Sequence, residues 1–318
     1  MPIYNNILEA IGRTPIIRLN SIPGEPRNSI FSIFIKNESL NPGGSHKARI
    51  AYNMILDAEK HGFLSPFSGQ TILEYSGGNT GIGIAMAGAV RGYRVVLVIP
   101  DNYSLQKQKL LKAYGAEVIL SDSSKGNNSH GELAIQLQFE NPEYVMLNQG
   151  SNPANPQAHI LSTCPEIQAD FTDKSIDYLV AGIGTGGHIS AVGSTLRNDH
   201  PNMRIIGVQP EGCDLLQNIF ISHKIQGLSV GLIPPVLSPY LKIIDSMVSV
   251  TYEESLEMMR LLLRNEGMSV GLSSGANLAA CMKIVTAHQV VDGERPVNIL
   301  TFAYDSAYDY LANLDDAM

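Results

Sequence analysis

The chain has few cysteines, fewer cations than anions and no long apolar stretch. Its three cysteines, Cys164, Cys213 and Cys281, include no C-x-x-C pair and no metal-ligand spacing with histidine, so we expect a reducing compartment and no metal. The formal net charge of −8 argues against binding to nucleic acid or to an anionic membrane. No apolar run approaches the ~18 residues that span a bilayer, and residues 1–6 do not resemble a signal peptide. These absences predict a cytoplasmic protein with a small-molecule partner.

What the chain does contain is a regular alternation of short apolar runs and amphipathic segments. With 318 residues, of which 44% are hydrophobic, we expect two domains. Residues 95–99 are continuously apolar, as in parallel strands buried on both faces. The alternation predicts an α/β fold with mainly parallel sheets. The predicted elements cover residues 50–60, 71–75, 79–91, 94–99, 104–114, 117–120, 177–181, 187–197, 204–209, 274–288 and 297–301.

Four polar or glycine-rich turns lie where a strand should pass into a helix, the position at which open α/β sheets bind ligands. In the first, residues 41–49, Lys47 lies in the first turn of a helix, where the helix dipole disfavours a cation. Lys47 is either a solvated surface residue or an amine whose pKa is lowered by burial and by the helix terminus. An amine of the second kind is a good nucleophile toward an aldehyde.

The second and fourth turns are rich in hydroxyl and amide groups. Residues 76–81 place backbone N–H groups and polar side chains at a helix start, which is either an ordinary N-cap or an anion site suited to a carboxylate. Residues 267–277 enter another helix through Ser273 and Ser274. Serines there usually cap the helix, unless a bound heterocycle presents its ring nitrogen to one hydroxyl.

The third turn, residues 182–188, is glycine-rich and has two interpretations. Its backbone N–H groups can close around a phosphate at the helix start. Gly182, Gly184 and Gly187 also satisfy the dinucleotide pattern G-x-G-x-x-G, and Glu211 follows the next strand, where a ribose-binding acid is expected. A nicotinamide-dependent oxidoreductase is therefore an alternative, although it gives Lys47 no function.

Taken in this order, the four turns resemble those of the cysteine synthase and cystathionine β-synthase family of pyridoxal-phosphate enzymes. The resemblance implies fold type II, which is tryptophan-synthase-β-like: two domains, each a mainly parallel twisted sheet flanked by helices. It implies a smaller N-terminal domain at 41–148 that carries the substrate loop. A larger domain, 1–40 with 149–318, would bind the cofactor phosphate, and the protein would be a homodimer. Further segments carry the resemblance over nearly the whole chain, at residues 11–15, 152–156, 158–159 and 165–167.

The resemblance also assigns roles to individual residues. Lys47 looks like the catalytic lysine that forms a Schiff base with pyridoxal 5'-phosphate and removes the α-proton. Asn79 would contact the phenolic oxygen of the cofactor, and Ser273 its pyridine nitrogen. The residues implied for the cofactor phosphate are Gly184, Thr185, Gly186, Gly187 and His188. The residues implied for the substrate carboxylate are Ser76, Gly77, Asn79, Thr80 and Gln149.

The implied activity is a transferase reaction of cysteine biosynthesis. A serine-derived amino acid of the O-acetylserine or O-phosphoserine type would undergo β-replacement through an aminoacrylate, with sulfide as the nucleophile. Gly77 stands where the family usually has serine, and Gly150 where it has an aromatic residue, so we expect room for a larger nucleophile or leaving group. A β-elimination lyase and a non-catalytic metabolite-binding relative are further alternatives. Other departures from the family pattern are His46, His188 and the segment 305–309.

Overall fold

A computed structural model describes residues 3–20, 30–126, 128–229, 231–288 and 295–311. The segment 225–240 is rich in Gly, Pro and Ser and has no clear periodicity, so the sequence predicts an active-site loop there. Val230 of that segment lies outside the described residues. The chain forms two compact units: unit 1 comprises residues 1–12 and 41–158, and unit 2 comprises residues 13–40 and 159–318. No helix in the described ranges is long and apolar enough to cross a membrane.

The strands and helices are numbered in chain order. The strands are β1 (Ile16–Arg18), β2 (Phe31–Asn37), β3 (Thr71–Glu74), β4 (Arg94–Pro100), β5 (Glu117–Ser121), β6 (Val145–Met146), β7 (Tyr178–Gly182), β8 (Arg204–Pro210), β9 (Ser246–Val250) and β10 (Val297–Ala303). The α-helices are α1 (Lys47–Lys60), α2 (Asn79–Arg91), α3 (Leu105–Ala113), α4 (Ser129–Glu140), α5 (Ala154–Ala158), α6 (Cys164–Asp170), α7 (Gly187–Asp199), α8 (Tyr252–Glu266) and α9 (Leu272–Ala287). Short 3-10 or π turns occupy Ile7–Ala10, Glu38–Leu40, Ser123–Lys125, His159–Thr163, Ser238–Ile243 and Ala307–Tyr310.

Unit 1 is built on a four-stranded sheet in the order β5-β4-β3-β6, and all of its described pairings are parallel. The five central residues of β4 are all buried because helices cover both faces of a parallel sheet. Helices α1 and α2 pack together, and their buried side chains join Ile72 and Leu97 in one core. The sheet places the ends of β3 and β4 at one edge, where the polar turns begin.

Unit 2 contains a six-stranded sheet in the order β1-β2-β10-β7-β8-β9, parallel except for β1. Helices α8 and α9 pack on it, and α8 begins with a capping box in which Thr251 and Glu254 satisfy each other's backbone N–H groups. Lys36 on β2 is fully buried. Its ammonium lies 2.9 Å from Glu166 and 2.8 Å from the carbonyl of Thr14, as a buried charge requires.

The predicted α/β class with mainly parallel sheets is confirmed. Helix α2 has the predicted bounds, and β4 and β8 each extend one residue beyond theirs. Helices α4 and α8 and the strands β2 and β9 are additional elements that the periodicity did not indicate. Residues 1–12 and 149–158 group with 41–148 in unit 1.

Candidate active site

Lys47 is the first residue of α1, in unit 1. Its backbone N–H donates to the hydroxyl of the buried Ser45 at 3.3 Å, which holds the helix start. The side chain keeps partial solvent exposure, yet the protein atoms around it disfavour the charged form and lower the pKa of the ammonium to about 8. At pH 7 about a tenth of this amine is therefore neutral and nucleophilic, far more than for an ordinary lysine with a pKa of about 10.4.

The predicted carboxylate residues of unit 1 lie on two neighbouring segments. Ser76, Gly77 and Gly78 join β3 to α2, and Asn79 is the first residue of that helix. The hydroxyl of Thr80 donates a 2.6 Å hydrogen bond to Oε1 of Gln149, which connects the helix start to the turn after β6. The structure thus brings Thr80 and Gln149 into direct contact although 69 positions separate them.

Glu74, the last residue of β3, lies beneath these segments. It is fully buried, and desolvation raises the pKa of its carboxyl group to about 7, while the nearby backbone N–H groups of Tyr75, Gln149 and Asn148 act in the opposite direction. The carboxyl group therefore lies at the end of β3, close to the turn that carries Gln149. A charged residue at the end of an apolar strand is the sequence signal that could have identified it.

In unit 2 the glycine turn after β7 is narrow. A Cβ at Gly184 would lie only 2.4 Å from the carbonyl oxygen of Gly227, so no other residue fits. Gly186 is the N-cap of α7 and has φ +81°, a left-handed conformation that favours glycine. The backbone N–H of Ser229 donates to the carbonyl of Ile183 at 2.7 Å, so residues 227–229 of the predicted loop lie along this turn. Thr185 completes the turn between the two glycines.

His188 follows the turn and is buried in an aromatic cluster. Its ring centroid lies 4.2 Å from that of Phe302 and 4.8 Å from that of His159, in edge-to-face geometry. Its Nδ1 lies 3.4 Å from the hydroxyl of Tyr304. These contacts support the first turn of α7 from the interior of unit 2.

Ser273 is the second residue of α9 and is buried. The hydroxyl of the neighbouring Ser274 accepts a 2.9 Å hydrogen bond from the backbone N–H of Tyr304. This hydrogen bond connects the start of α9 to the residue that follows β10. The backbone N–H of Gly271 donates to the carbonyl of Asp305 at 3.0 Å, so the unusual segment 305–309 lies next to the start of α9.

Comparison with known proteins identifies the family. A family model described as "Pyridoxal-phosphate dependent enzyme" matches residues 7–301. The chain is 44% identical over 306 residues to a cystathionine beta-synthase of Apis mellifera, covering 94% of this chain and 59% of that protein. It is 38% identical to a cysteine synthase of Staphylococcus aureus, covering 93% of each. The crystal structure of O-ureido-L-serine synthase superposes with a TM-score of 0.91 at 37% identity, covering 100% of this chain and 96% of that one.

The chain belongs to the family of pyridoxal-phosphate dependent enzymes. It is an enzyme of the cysteine synthase and cystathionine β-synthase type, so the predicted family, fold type II and cofactor are confirmed. The family decides against the dinucleotide interpretation of the turn at 182–188.

The residues present fit pyridoxal phosphate. Lys47 offers an amine with a lowered pKa to the cofactor aldehyde. The turn at 184–187, which we call the cradle, encloses a space so narrow that a single Cβ added at Gly184 would fill it. The N-terminus of α7, a helix of 13 residues, adds backbone N–H groups and a partial positive charge for a phosphate. No group of three or more metal-ligating side chains occurs in the part of the chain that the structure describes.

Proposed function

We propose that this enzyme catalyses β-replacement on a serine-derived amino acid of the O-acetylserine or O-phosphoserine type, with sulfide or a larger nucleophile. The observation that carries the proposal is Lys47, an amine with a pKa of about 8 at a helix start, in the same unit as a turn suited to a carboxylate. The relatives named cysteine synthase and cystathionine beta-synthase support this reaction class.

In this proposal Lys47 holds the cofactor aldehyde covalently through Nζ. Asn79 binds the phenolic oxygen of the cofactor and Ser273 its pyridine nitrogen, and a neutral hydroxyl there does not force protonation of the ring. The group proposed for the phosphate is the cradle Gly184, Thr185, Gly186 and Gly187. His188 acts through its place at the start of α7, since its ring packs against Phe302 and Tyr304.

The substrate carboxylate has a separate set of partners, in unit 1. The backbone N–H groups of the turn and the α2 terminus favour an anion. Because the Oε1 atom of Gln149 accepts from Thr80, its Nε2 group is oriented as the donor. The residues proposed to bind the carboxylate are Ser76, Gly77, Asn79, Thr80 and Gln149.

Lys47 carries the proton transfer. When bound, pyridoxal phosphate supplies an electron sink for charge that develops at the substrate α-carbon. Once the substrate amine has replaced Nζ at the cofactor aldehyde, the freed neutral Nζ of Lys47 would take the α-proton as general base, and its lowered pKa would keep it effective near neutral pH. The turn at 76–80 and Gln149 orient the α-carbon toward that amine by holding the carboxylate.

The experiment is a product assay on the cofactor-loaded enzyme. O-Acetyl-L-serine and O-phospho-L-serine are each incubated with sulfide, L-homocysteine and a series of larger thiols and amines, and products are identified by mass. We expect a β-substituted alanine from at least one pair and none from Lys47→Ala. Lys60→Ala, at the exposed other end of α1, is the matched control and should keep wild-type rates. Only pyruvate and ammonia would indicate β-elimination instead, and no turnover would indicate a non-catalytic relative.

We further propose a cytoplasmic homodimer. The three cysteines all lie in the described chain as buried thiols and form no disulfide, which suits a reducing compartment. Light scattering of the purified enzyme at several concentrations tests the dimer, which a constant monomer mass would contradict.

A further inference from the structure

Tyr103 lies beside the turn that we propose binds the substrate carboxylate. It belongs to the segment that joins β4 to α3, and β4 pairs in parallel with β3. Both strands therefore end at the same edge of the sheet, and the segments that follow them are neighbours. No motif or periodicity in the sequence distinguishes Tyr103.

The ring of Tyr103 occupies the space next to Gly77 and Gly78. A Cβ at Gly78 would lie 3.1 Å from the phenolic oxygen, and one at Gly77 would lie 3.1 Å from Cε1 of the same ring. The Cβ at Gly77 would also lie 2.6 Å from Cγ2 of Ile99. A serine at position 77 therefore does not fit unless these groups move. The turn has a phenol beside it and no hydroxyl of its own at that position.

Local contacts hold Tyr103 in place. Its backbone N–H donates to the carbonyl of Pro100 at 3.1 Å, and Nε2 of Gln108 donates to its own carbonyl at 2.9 Å. The ammonium of the buried Lys107 lies 5.9 Å from the ring centroid, over the face of the ring. The half-buried tyrosine is thus ordered before a ligand arrives, which reduces the entropy lost on binding.

We propose that the hydroxyl of Tyr103 donates a hydrogen bond to the substrate α-carboxylate and so supplies the donor that Gly77 lacks. This inference rests on the proposed function, because it adds a group to the same site. The phenolic oxygen lies against the backbone that would bind the carboxylate, and the nearby Lys107 cation favours an anion there. A hydrogen bond to an ionised acceptor changes affinity about ten- to hundredfold.

The test measures binding of two ligands to the enzyme loaded with pyridoxal phosphate. L-Alanine and L-alaninamide both lack a β-leaving group, and they differ in whether the α-carbon bears a carboxylate or a neutral amide. Binding is followed by the change in the visible absorbance of the cofactor. Tyr103→Phe removes the hydroxyl and keeps the ring that fills the space beside Gly77. We expect its affinity for L-alanine to fall about ten- to hundredfold and its affinity for L-alaninamide to change less than about twofold.

Tyr114→Phe is the matched control, because Tyr114 is another half-buried tyrosine, at the C-cap of α3. We expect it to leave both affinities unchanged. Wild-type affinity of Tyr103→Phe for L-alanine, or an equal loss for both ligands, would overturn the assignment of Tyr103. A wild-type enzyme that binds neither ligand would instead overturn the proposed function on which the assignment rests.

Discussion

The hydroxyl of Thr80 donates a 2.6 Å hydrogen bond to the side-chain oxygen of Gln149. Thr80 is buried in the first turn of α2, and Gln149 belongs to the turn after β6. The backbone carbonyl of Gln149 also accepts a 2.8 Å hydrogen bond from Nδ2 of Asn155. The hydrogen bond sets which end of the Gln149 amide faces Thr80. The orientation of the Gln149 amide, which we propose binds the substrate carboxylate, therefore depends on Thr80.

Thr80→Val should weaken substrate binding while the protein stays folded. Valine has a similar shape but leaves the half-buried amide oxygen of Gln149 without its donor, a cost of about 1 to 2 kcal/mol. We expect KM for the donor amino acid to rise about tenfold with a smaller change in kcat, and Thr80→Ser to restore it. Thermal unfolding of both variants controls for misfolding. A KM unchanged in Thr80→Val would show that the amide orientation does not matter.

Glu74 should make the enzyme less stable as the pH rises. Its carboxyl ionises near pH 4.5 when unfolded and near pH 7 in the folded protein. Its contribution is therefore fully present below pH 4.5 and is lost as the pH rises through about 7, an effect of about 3 kcal/mol.

Urea unfolding at pH 5, 6, 7 and 8 measures this dependence. Glu74→Gln should flatten it over that range. Glu117→Gln, on the exposed face of β5, is the control that should keep the wild-type slope. Identical slopes for Glu74→Gln and the wild type would rule out this account of Glu74.

Lys47 should react with amine reagents at a lower pH than an ordinary lysine. With a pKa of about 8, its labelling rate in the cofactor-free enzyme should level off above about pH 8 to 9, because the amine is then mostly neutral. Acetylation with acetic anhydride, quantified by peptide mass, gives the rate, with Lys60 as an internal reference. A Lys47 rate that continues to rise about tenfold per pH unit up to pH 10 would contradict the lowered pKa.

Gly184→Ala should impair cofactor binding. The added methyl group would approach a backbone carbonyl to 2.4 Å, and backbone moves less readily than a side chain, so we expect a loss of about 1 to 3 kcal/mol in stability. The affinity for pyridoxal phosphate should fall as well, measured by equilibrium dialysis. Gly131→Ala in α4 is the control: its methyl group would lie 3.7 Å from the Tyr75 ring, an ordinary contact, and should preserve affinity. Equal affinities in the two variants would count against the cradle.

Gly150→Phe should narrow the choice of nucleophile. A Cβ at Gly150 has no neighbour closer than 3.9 Å, so a side chain can be added there. We expect the ratio of kcat/KM for a bulky nucleophile to that for sulfide to fall about tenfold or more, and Gly150→Ala to have a smaller effect. If the wild-type enzyme already prefers sulfide to every larger nucleophile, the glycine does not determine specificity.

Gly77 and Gly150 should not respond alike to substitution. Gly77→Ser alone should destabilise the enzyme, because of the 2.6 Å approach to Ile99, and an added Ile99→Ala should relieve the strain. Urea unfolding of the single and double variants measures both effects. If Gly77→Ser were as stable as the wild type, the Ile99 side chain at the end of β4 would have to move aside at little cost in free energy.

The sequence by itself determined the strand–turn–helix order and the positions of the four polar turns. Apolar periodicity and helix-start residues act over a few neighbours, so α2 could be predicted with its observed bounds and Lys47 could be assigned to a helix start. The tertiary structure decided which turns meet. Thr80 lies next to Gln149 because β6 pairs with β3, and Tyr103 lies next to Gly78 because β4 does. Strand pairing joins residues far apart in the chain, and local patterns do not encode it. Burial likewise raised the pKa of Glu74 and lowered that of Lys47, because desolvation depends on every atom packed around a group.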